Sequence, residues 1–453
     1  MNKKLVLSLT LILLLLIGCS STAQDEPQAA QPDVDMETSA EIDDTTTQDD
    51  PQTTQQDVAA EAQAEMEDTT TQDDPQTTQQ DVAAETQAEI DDTTAQDTFQ
   101  AFPPEVVAEI QAEMDNLTAG ELPPGMIMWI DAPAYRFAGA SGSANLADDT
   151  PMPPEGAFRI GSITKMFTAT VIMQLVEDGV LTLDDPLALW LPEVAEQLPY
   201  GDQITLRHLL THTSGLFNVV EHEAYYADLF TEMVVDEETG NVSLACVERD
   251  PHDTLARYVY GKEAQFEPGT QWRYSNSNYT LLGMIIEKAA EMPLAEAYRT
   301  NIYEPLGMTA TFLDCYEAPL ADVVHGYTAS GDTMTDVTEL HESVGWSAGG
   351  LVSTAPDLIA FARGLFSGAL FDNPETLEAM TTPASGSAYG LGISLQEAYM
   401  GHAGYIAGFR SVLNYAPEFD TVVVMLYNTD AAGPEQSLAD MMNPAAPLLR
   451  MAE

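Results

Sequence analysis

Basic residues are scarce in this chain. Its 453 residues contain 15 Lys and Arg against 73 Asp and Glu, which gives a formal net charge of −58 at pH 7. Nucleic acid and anionic lipid headgroups are poor partners for such a surface, because like charges repel each other. The composition therefore argues against nucleic-acid binding and against recognition of anionic membrane surfaces.

Long hydrophobic runs are also lacking, apart from one near the N-terminus. Two lysines precede an apolar run of 13 residues, Leu5 to Ile17, which has the length of a signal-peptide core. The run ends in Leu-Ile-Gly-Cys19, which resembles a bacterial lipobox, in which the cysteine is lipidated. We expect residues 1–19 to be a lipoprotein-type signal peptide, and the mature protein to lie in the bacterial cell envelope, anchored to a membrane through acyl chains on Cys19. A plain secretory signal with an incidental Cys19 is the alternative.

Residues 20–100 contain no Lys or Arg and hold 23 of the acidic residues. A 24-residue unit that begins at Ala40 recurs at Ala64 and starts again at Ala88. Each unit has only two or three apolar side chains larger than alanine, and such a composition favours disorder. We expect a disordered, self-repelling linker that holds the rest of the chain off the membrane. An acidic tail that binds a partner is the alternative.

Cysteine occurs only three times. Cys-x-x-Cys, phosphate-loop and Gly-x-Gly-x-x-Gly motifs are missing, and His208 and His212 lack the Glu of a His-Glu-x-x-His zinc site. We therefore expect no metal and no cofactor. Cys246 and Cys315 remain after Cys19, and an exported setting permits a disulfide between them. Two free buried thiols are the alternative.

The most informative stretch is Ser162-Ile-Thr-Lys165, which leads into apolar residues at helical spacing. Residues three apart lie on one face of an α-helix, so the Ser162 hydroxyl and the Lys165 amine can meet. A serine hydroxyl needs an adjacent base to become a nucleophile, and a lysine held neutral by its surroundings can supply one. Alone, the pattern fits equally well a surface serine followed by an exposed lysine.

Two further motifs follow within residues 101–453, namely Tyr274-Ser-Asn276 and His402-Ala-Gly404. Ser-x-x-Lys, Tyr-x-Asn and Lys/His-x-Gly in this order resemble the serine β-lactamase and penicillin-binding peptidase superfamily. The Tyr-x-Asn form is similar to the branch that contains class C β-lactamases, D,D-carboxypeptidases, esterases and D-aminopeptidases. The resemblance covers roughly residues 104–430, so residues 101–453 are expected to form one serine hydrolase domain.

The resemblance implies a role for each motif residue. Ser162 would attack a carbonyl and form an acyl-enzyme, and Lys165 would accept its proton or hold the network that does. Tyr274 would be a general base or proton shuttle, its phenol pKa lowered from near 10 by nearby cations. Asn276 would bind the substrate amide and orient Lys165. The backbone N–H groups of Ser162 and Tyr405 would form the oxyanion hole.

The third motif departs from the Lys-Thr-Gly of many β-lactamases. The His402 imidazole is only partly charged at neutral pH, which weakens recognition of a substrate carboxylate. Gly404 would let the backbone approach the ligand and suits an edge strand. Arg410 could supply the missing charge, with a surface ion pair as the alternative. For the second motif, the alternative to catalysis is a core tyrosine followed by a helix N-cap at Asn276 or Ser277.

The fold that the resemblance implies is an α+β sandwich, with an antiparallel sheet built from both ends of the catalytic domain, flanked by helices, and a mostly helical insert. Local patterns agree with a helix near residues 104–115 and with strands near residues 126–130 and 135–137. Further strands are expected near residues 389–395, 409–415 and 421–427, with a turn over residues 417–420. Residues 162 to about 311 should be largely helical.

We expect an exported serine hydrolase that acts through an acyl-enzyme on a small peptide or ester. The first hypothesis is a D-Ala-D-Ala carboxypeptidase-like enzyme or a related peptidase. A carboxylesterase or a weak class C-like β-lactamase is the alternative, and a non-enzymatic penicillin-binding lipoprotein is the alternative of another class. The protein is expected to be a monomer.

Overall fold

The computed structural model describes residues 100–431, except 121, 237–238, 331–332 and 342. The expectations for the signal peptide, for Cys19 and for the acidic linker of residues 20–100 therefore lie outside the described residues, apart from residue 100 at the linker's end. Among the residues described, no helix is both long and apolar enough to cross a membrane.

The largest sheet has eight strands in the order β1-β3-β2-β15-β14-β13-β12, with β4 paired to β3. Neighbouring strands run antiparallel except β1 and β3, which are parallel. Its strands are β1 Gln100–Ala101, β2 Gly125–Asp131, β3 Tyr135–Asn145, β4 Thr150–Pro151, β12 Ser394–Leu395, β13 Met400–Ile406, β14 Phe409–Ala416 and β15 Thr421–Tyr427. The described residues also form three smaller sheets. One has three strands, β5 Ala157–Arg159, β8 Phe312–Leu313 and β11 Leu351–Thr354. The other two have two strands each, β6 Val234–Val235 with β7 Val242–Ser243, and β9 Tyr327–Ser330 with β10 Thr333–Asp336.

Strand β15 explains why the large sheet needs helices on both faces. All seven of its residues are buried. Because successive side chains of a strand point to opposite faces, Val422 and Val424 enter one hydrophobic cluster while Val423 and Met425 enter another. A strand that is apolar on both faces is stable only between two layers, so the sheet is sandwiched as expected.

The helices supply those layers. They are α1 Pro104–Thr118, α2 Thr164–Glu177, α3 Leu187–Trp190, α4 Pro192–Ala195, α5 Leu206–Leu210, α6 Glu223–Glu232, α7 Pro251–Tyr258, α8 Asn276–Ala290, α9 Leu294–Tyr298, α10 Glu304–Leu306, α11 Trp346–Gly349, α12 Ala355–Phe366 and α13 Pro374–Met380. Helix α1 covers one face through Val106, Ile110 and Met114, and α12 covers the other. Helices α2 to α10 form most of the insert between β5 and β8, and α2 is buried over its first ten residues.

The expected architecture is confirmed, including the construction of the sheet from both ends of the domain and the turn that precedes β15. One expected strand is mostly wrong. Within residues 389–395 only Ser394–Leu395 is a strand. Gly392 has φ +80°, and a Cβ there would come within 2.3 Å of the Ala169 side chain, so this segment packs against α2 as irregular backbone instead of extending the sheet.

Cys246 and Cys315 are joined by a disulfide, as favoured from the sequence, with their Cα atoms 5.2 Å apart. The bridge ties the loop after β7 to the end of β8 and closes a loop of 69 residues. Helices α7 to α10 lie within this loop. A loop of this length corresponds to about 4 kcal/mol of lost closure entropy in the unfolded chain.

Replacing both cysteines by serine should therefore lower the free energy of unfolding by about 2–4 kcal/mol. Urea unfolding followed by circular dichroism measures this difference. The wild-type protein in excess reductant should approach the double variant, and reductant should leave the double variant unchanged. Equal unfolding midpoints for the wild type and the double variant under oxidising conditions would contradict the expectation.

Candidate active site

Ser162 lies in a single 3-10 turn, Gly161–Ile163, between β5 and α2. Gly161 has φ +50°, and a Cβ atom there would come within 2.7 Å of the Tyr405 backbone nitrogen. A larger residue could not bring the turn this close to β13. Because the turn leads directly into α2, Ser162 sits at a helix N-terminus, where unsatisfied N–H groups favour developing negative charge.

Lys165 lies in the first turn of α2 and is fully buried. Its Nζ is 3.0 Å from Ser162 Oγ, 2.8 Å from Asn276 Oδ1 and 2.6 Å from Ala348 O. None of these three partners is a carboxylate. Burial therefore holds the pKa of Lys165 well below its usual value of 10.5. The contact between Ser162 and Lys165 that the spacing predicted is confirmed.

Tyr274 forms a hydrogen bond with Ser162 through its hydroxyl. The centre of its ring lies 4.9 Å from Lys165 Nζ. The expectation that cations lower its pKa is wrong, because burial raises the pKa of Tyr274 above its usual value of 10.0, and the neighbouring lysine is itself biased towards the neutral amine. The residue is half-buried, and its side chain is a neutral phenol at physiological pH.

Asn276 is the first residue of α8 and links Lys165 to a neighbouring loop. Its Oδ1 accepts from Lys165 Nζ, and its Nδ2 lies 3.3 Å from Asn218 Oδ1. The capping alternative is wrong for both candidates. The N-cap position is Ser275, whose side chain makes no capping bond, and the Ser277 hydroxyl donates to Phe217 O. The Asn276 side-chain amide therefore binds Lys165 and does not cap the N-terminus of α8.

His402 is buried with both ring nitrogens bonded. Nε2 lies 3.0 Å from the Tyr389 hydroxyl, and Nδ1 lies 2.6 Å from the Ala403 carbonyl oxygen. A carbonyl oxygen only accepts, so Nδ1 carries the ring proton and Nε2 accepts from Tyr389. Burial lowers the pKa of His402 to about 3. The expected partial charge at this motif is therefore wrong, and the imidazole is neutral.

Gly404 allows β13 to reach the nucleophile turn. A Cβ atom on Gly404 would lie 1.9 Å from Ile160 O and 2.3 Å from Ser411 Oγ. The Ser411 hydroxyl donates to the same Ile160 oxygen at 2.8 Å. Among the described strands, β12 pairs only with the first two residues of β13, Met400 and Gly401. The remainder of β13 therefore forms an edge of the sheet, as expected.

Tyr405 follows Gly404 and lies opposite Arg410 on β14. The Arg410 guanidinium lies 4.9 Å from the centre of the Tyr405 ring, and its Nε donates to the Asp430 carbonyl oxygen at 2.7 Å. Arg410 therefore places a positive charge beside Tyr405, and it also interacts electrostatically with the Asp430 carboxylate. The backbone nitrogens of Ser162 and Tyr405 lie in segments that meet at Gly161.

His212, Tyr279 and Tyr389 also lie at the site, although no sequence motif singles them out. The His212 ring centre lies 4.2 Å from that of Tyr274, 5.2 Å from that of Tyr279 and 4.9 Å from that of Tyr389. In the sequence, His212 forms an incomplete metal motif with His208. His208 instead accepts a hydrogen bond from Thr205 N at the start of α5. The available signal was the position of His212 in Thr-His-Thr-Ser-Gly, where a polar loop follows a short helix.

One group of described residues has the arrangement of metal ligands, namely Cys246, Asp314, Cys315 and His341. Both sulfur atoms are used in the disulfide. The Arg159 guanidinium donates to Asp314 Oδ2 at 3.0 Å and lies 3.0 Å from His341 Nδ1. A cation and a disulfide already occupy the ligand atoms, so this group is a salt-bridge network in its present state.

The comparisons with known proteins agree with this geometry. The family model described as Beta-lactamase matches residues 116–443. The chain belongs to the Beta-lactamase family. The resemblance inferred from its three motifs is confirmed, and the relatives in this family include serine hydrolases.

The Beta-lactamase family relatives differ in activity. A putative penicillin-binding protein, PbpX, of Bacillus subtilis is 31% identical over 278 residues, which are 61% of this chain and 63% of that protein. Esterase EstB of Burkholderia gladioli is 34% identical over 171 residues, 37% of this chain and 41% of that protein. The chain thus spans less than two thirds of these curated relatives. A D-stereospecific amidohydrolase from Streptomyces sp. has a TM-score of 0.64 and 30% identity, covering 74% of this chain and 97% of the other.

The close approach at Gly404 gives a test of the site. Gly404→Ala should push β13 away from the nucleophile turn, because its Cβ would meet Ile160 O at 1.9 Å. We expect the rate of Ser162 acylation by a fluorophosphonate probe to fall at least about tenfold, since misplacement of about 1 Å costs up to a hundredfold. Gly120→Ala is the matched control, because nothing lies closer than 4.0 Å to a Cβ there. Equal labelling rates in both variants would contradict this account.

Proposed function

We propose that the protein hydrolyses esters or amides through an acyl-enzyme on Ser162, with Lys165 as the base that removes the serine proton. One observation carries the proposal. The Lys165 amine is fully buried within 3.0 Å of the Ser162 hydroxyl, and none of its hydrogen-bond partners among the described residues is anionic. A buried amine without an anionic partner favours its neutral form, and only that form has a lone pair to accept a proton.

The hydrogen-bond geometry accommodates a neutral amine, the form that burial favours. A neutral amine has two N–H donors and one lone pair. Asn276 Oδ1 and Ala348 O are carbonyl-type oxygens that only accept, so they take both donors. The lone pair then faces Ser162, whose hydroxyl is both donor and acceptor. The serine proton is thereby directed towards the lysine before any substrate arrives.

Acylation follows from this arrangement. The Ser162 proton passes to Lys165 as Oγ forms a bond to the substrate carbonyl carbon, and the carbonyl oxygen becomes an oxyanion. The backbone N–H groups of Ser162 and Tyr405 are the proposed donors to that oxyanion, at the N-terminus of α2. The resulting ammonium of Lys165 lies beside the tetrahedral intermediate, where opposite charges attract strongly in a dry site.

Tyr274 is proposed to act as the acid in the next step. Its raised pKa keeps the phenol protonated, so it can donate to the leaving oxygen or nitrogen and regain a proton from Lys165. The bond between the carbonyl carbon and the leaving group breaks, which releases an alcohol or amine. Water then attacks the ester of Ser162, transferring its proton by the same route in reverse, and the free acid leaves.

The substrate class we favour carries no carboxylate next to the scissile bond. His402 is neutral at the position where an ammonium would bind such a carboxylate. The D-stereospecific amidohydrolase of similar fold supports amides or short peptides of D-amino acids, and the similar esterase supports esters. A D-Ala-D-Ala carboxypeptidase-like activity is the second candidate, favoured by the similarity to the penicillin-binding protein.

We also propose that the enzyme works outside the cytoplasm on a lipid anchor. The support is the apolar run that ends in Leu-Ile-Gly-Cys19 and the acidic repeat of residues 20–100, which would act as a tether. In that setting peptides that contain D-amino acids in the cell wall would be within reach.

The role of Lys165 is tested by two substitutions. Lys165→Ala should lower the rate of the acylation burst with p-nitrophenyl acetate by at least about 100-fold, the usual effect of losing a general base. Lys165→Arg should be as slow, because a guanidinium cannot lose its proton in a protein. Mass spectrometry of Ser162 after fluorophosphonate treatment reports the same step independently.

Lys288→Ala is the matched control, because this lysine is exposed on α8. It should leave the burst unchanged. A Lys165→Arg variant that keeps a rapid burst would show that Lys165 acts as a positive charge. A wild-type protein that gives neither a burst nor a Ser162 adduct would end the proposal of an acyl-enzyme.

The neutral state of His402 predicts a flat pH dependence of substrate preference. With a pKa of about 3, its imidazole is charged only below pH 3 and does not titrate between pH 5.5 and 8. The ratio of kcat/KM for mono-p-nitrophenyl succinate, which is anionic, to that for neutral p-nitrophenyl butyrate should therefore stay constant over this range. A ratio that falls with a midpoint near 6.5 would show an ordinary, titrating imidazole at the site.

A further inference from the structure

His212 stands out among the buried polar residues that the mechanism does not use. It lies in the loop after α5, and its side chain is completely buried. Its φ of +58° falls in the left-handed region, which residues other than glycine occupy only when the surrounding structure holds them there. Such conformations cluster at active sites, and the His212 ring is in contact with that of Tyr274.

His212 contacts Tyr274 and its two chain neighbours in three ways. The backbone N–H of Arg273, just before the tyrosine, donates to His212 O at 3.0 Å. The backbone N–H of Ser275, just after it, donates to His212 Nδ1 at 3.2 Å. The imidazole centre lies 4.2 Å from the centre of the Tyr274 ring. His212 thus binds the backbone N–H groups of the two residues on either side of Tyr274 and packs against its ring.

The neighbours of His212 also fix its tautomer. Asn278 Oδ1 accepts from the Ser214 hydroxyl at 2.6 Å, so the Asn278 amide nitrogen is turned towards His212 Nδ1, at 3.2 Å. Two N–H donors therefore converge on Nδ1, which must be an acceptor, and the ring proton lies on Nε2. Burial lowers the pKa of His212 well below its usual value of 6.5, which agrees with a neutral ring.

The state of His212 Nε2 indicates that Nδ1 is the atom for which a histidine is needed at this position. Nε2 is buried and has no hydrogen-bond partner within the described part of the chain. A buried, unpaired N–H is unfavourable, and a phenylalanine would fill the same space without it. Packing alone therefore does not account for a histidine here. The property that a phenylalanine lacks is the acceptor at Nδ1, which binds the segment that carries Tyr274.

We propose that His212 is a positioning residue for Tyr274, which uses Nδ1 as an acceptor to hold the phenol at Ser162. The inference rests on the proposed role of Tyr274 in acyl transfer. His212 does not touch the reacting atoms in this account. Its effect reaches the chemistry only through the placement of the Tyr274 hydroxyl.

Two substitutions separate the acceptor from the ring. His212→Asn keeps an oxygen at the same number of bonds from Cα as Nδ1 and tolerates a positive φ. His212→Phe keeps the ring and removes the acceptor. For hydrolysis of p-nitrophenyl butyrate we expect His212→Phe to lower kcat at least about tenfold with KM within about threefold, since Tyr274 would be misplaced. His212→Asn should recover most of that loss.

Combination with Tyr274→Phe tests whether His212 works through the tyrosine. When the phenol is already absent, His212→Phe should lower kcat less than about twofold further, because residues that act as one unit are not additive. His208→Asn, four residues earlier in the same segment, is the matched control and should leave kcat unchanged. Thermal unfolding of every variant shows which of them are folded, and the His212→Asn comparison remains available if His212→Phe is not.

The outcomes are distinct. The proposal is overturned if His212→Phe is folded and keeps kcat within about twofold of the wild type, or if its effect multiplies fully with that of Tyr274→Phe. It is overturned as well if a folded His212→Asn is as slow as Tyr274→Phe. A Tyr274→Phe variant with wild-type kcat would instead remove the proposed function of Tyr274, and a wild type without a Ser162 adduct would remove the acyl-enzyme.

Discussion

The active site depends on one constraint, the burial of the Lys165 amine among uncharged oxygens. Its three partners come from the nucleophile turn, the start of α8 and helix α11. A buried ammonium without an anionic partner is unfavourable by several kcal/mol, so this environment selects the neutral amine and stabilises it with two carbonyl acceptors. The position of the serine, the orientation of Asn276 and the direction of the serine proton all follow from that choice.

Close packing of small residues makes that environment possible. A Cβ on Gly283 of α8 would come within 2.5 Å of Ser347 Oγ, so α8 and α11 approach each other closely where Lys165 lies between them. The polar groups at this contact satisfy one another, since the Ser347 hydroxyl donates to Tyr279 O and Thr168 Oγ1 donates to Ser347 O. Water is thereby kept from the amine without leaving these groups unpaired, which a buried polar network requires.

The sequence predicted the contacts between neighbouring residues and the periodic elements of the fold. It did not predict the charge states of side chains that are buried by residues distant in the chain. Ser162 and Lys165 are three residues apart, so their contact follows from helix geometry, and the apolar runs near both ends of the catalytic domain agree with the sheet that the family resemblance implies. The charge states of Tyr274 and His402 could not be read in this way, because they depend on packing against residues more than 100 positions away, Lys165 among them. The role of His212 could not be predicted for the same reason, since its partners Arg273 and Ser275 contact it only in the folded chain.

A site built from a neutral lysine, a neutral phenol and a neutral imidazole has a consequence for selectivity. Charge appears there only during the reaction, when the oxyanion and the Lys165 ammonium form together, and their attraction in a dry site stabilises the transition state more than the bound substrate. In the proposed reaction, recognition of the ground state would be left to shape and to aromatic side chains near the motifs that are exposed, such as Trp272 and Tyr405. The net charge of −58 disfavours anionic substrates at long range, and the neutral His402 offers them nothing at short range. Within the proposed function, both effects act in the same direction, towards acyl compounds that are uncharged or that carry a free amine.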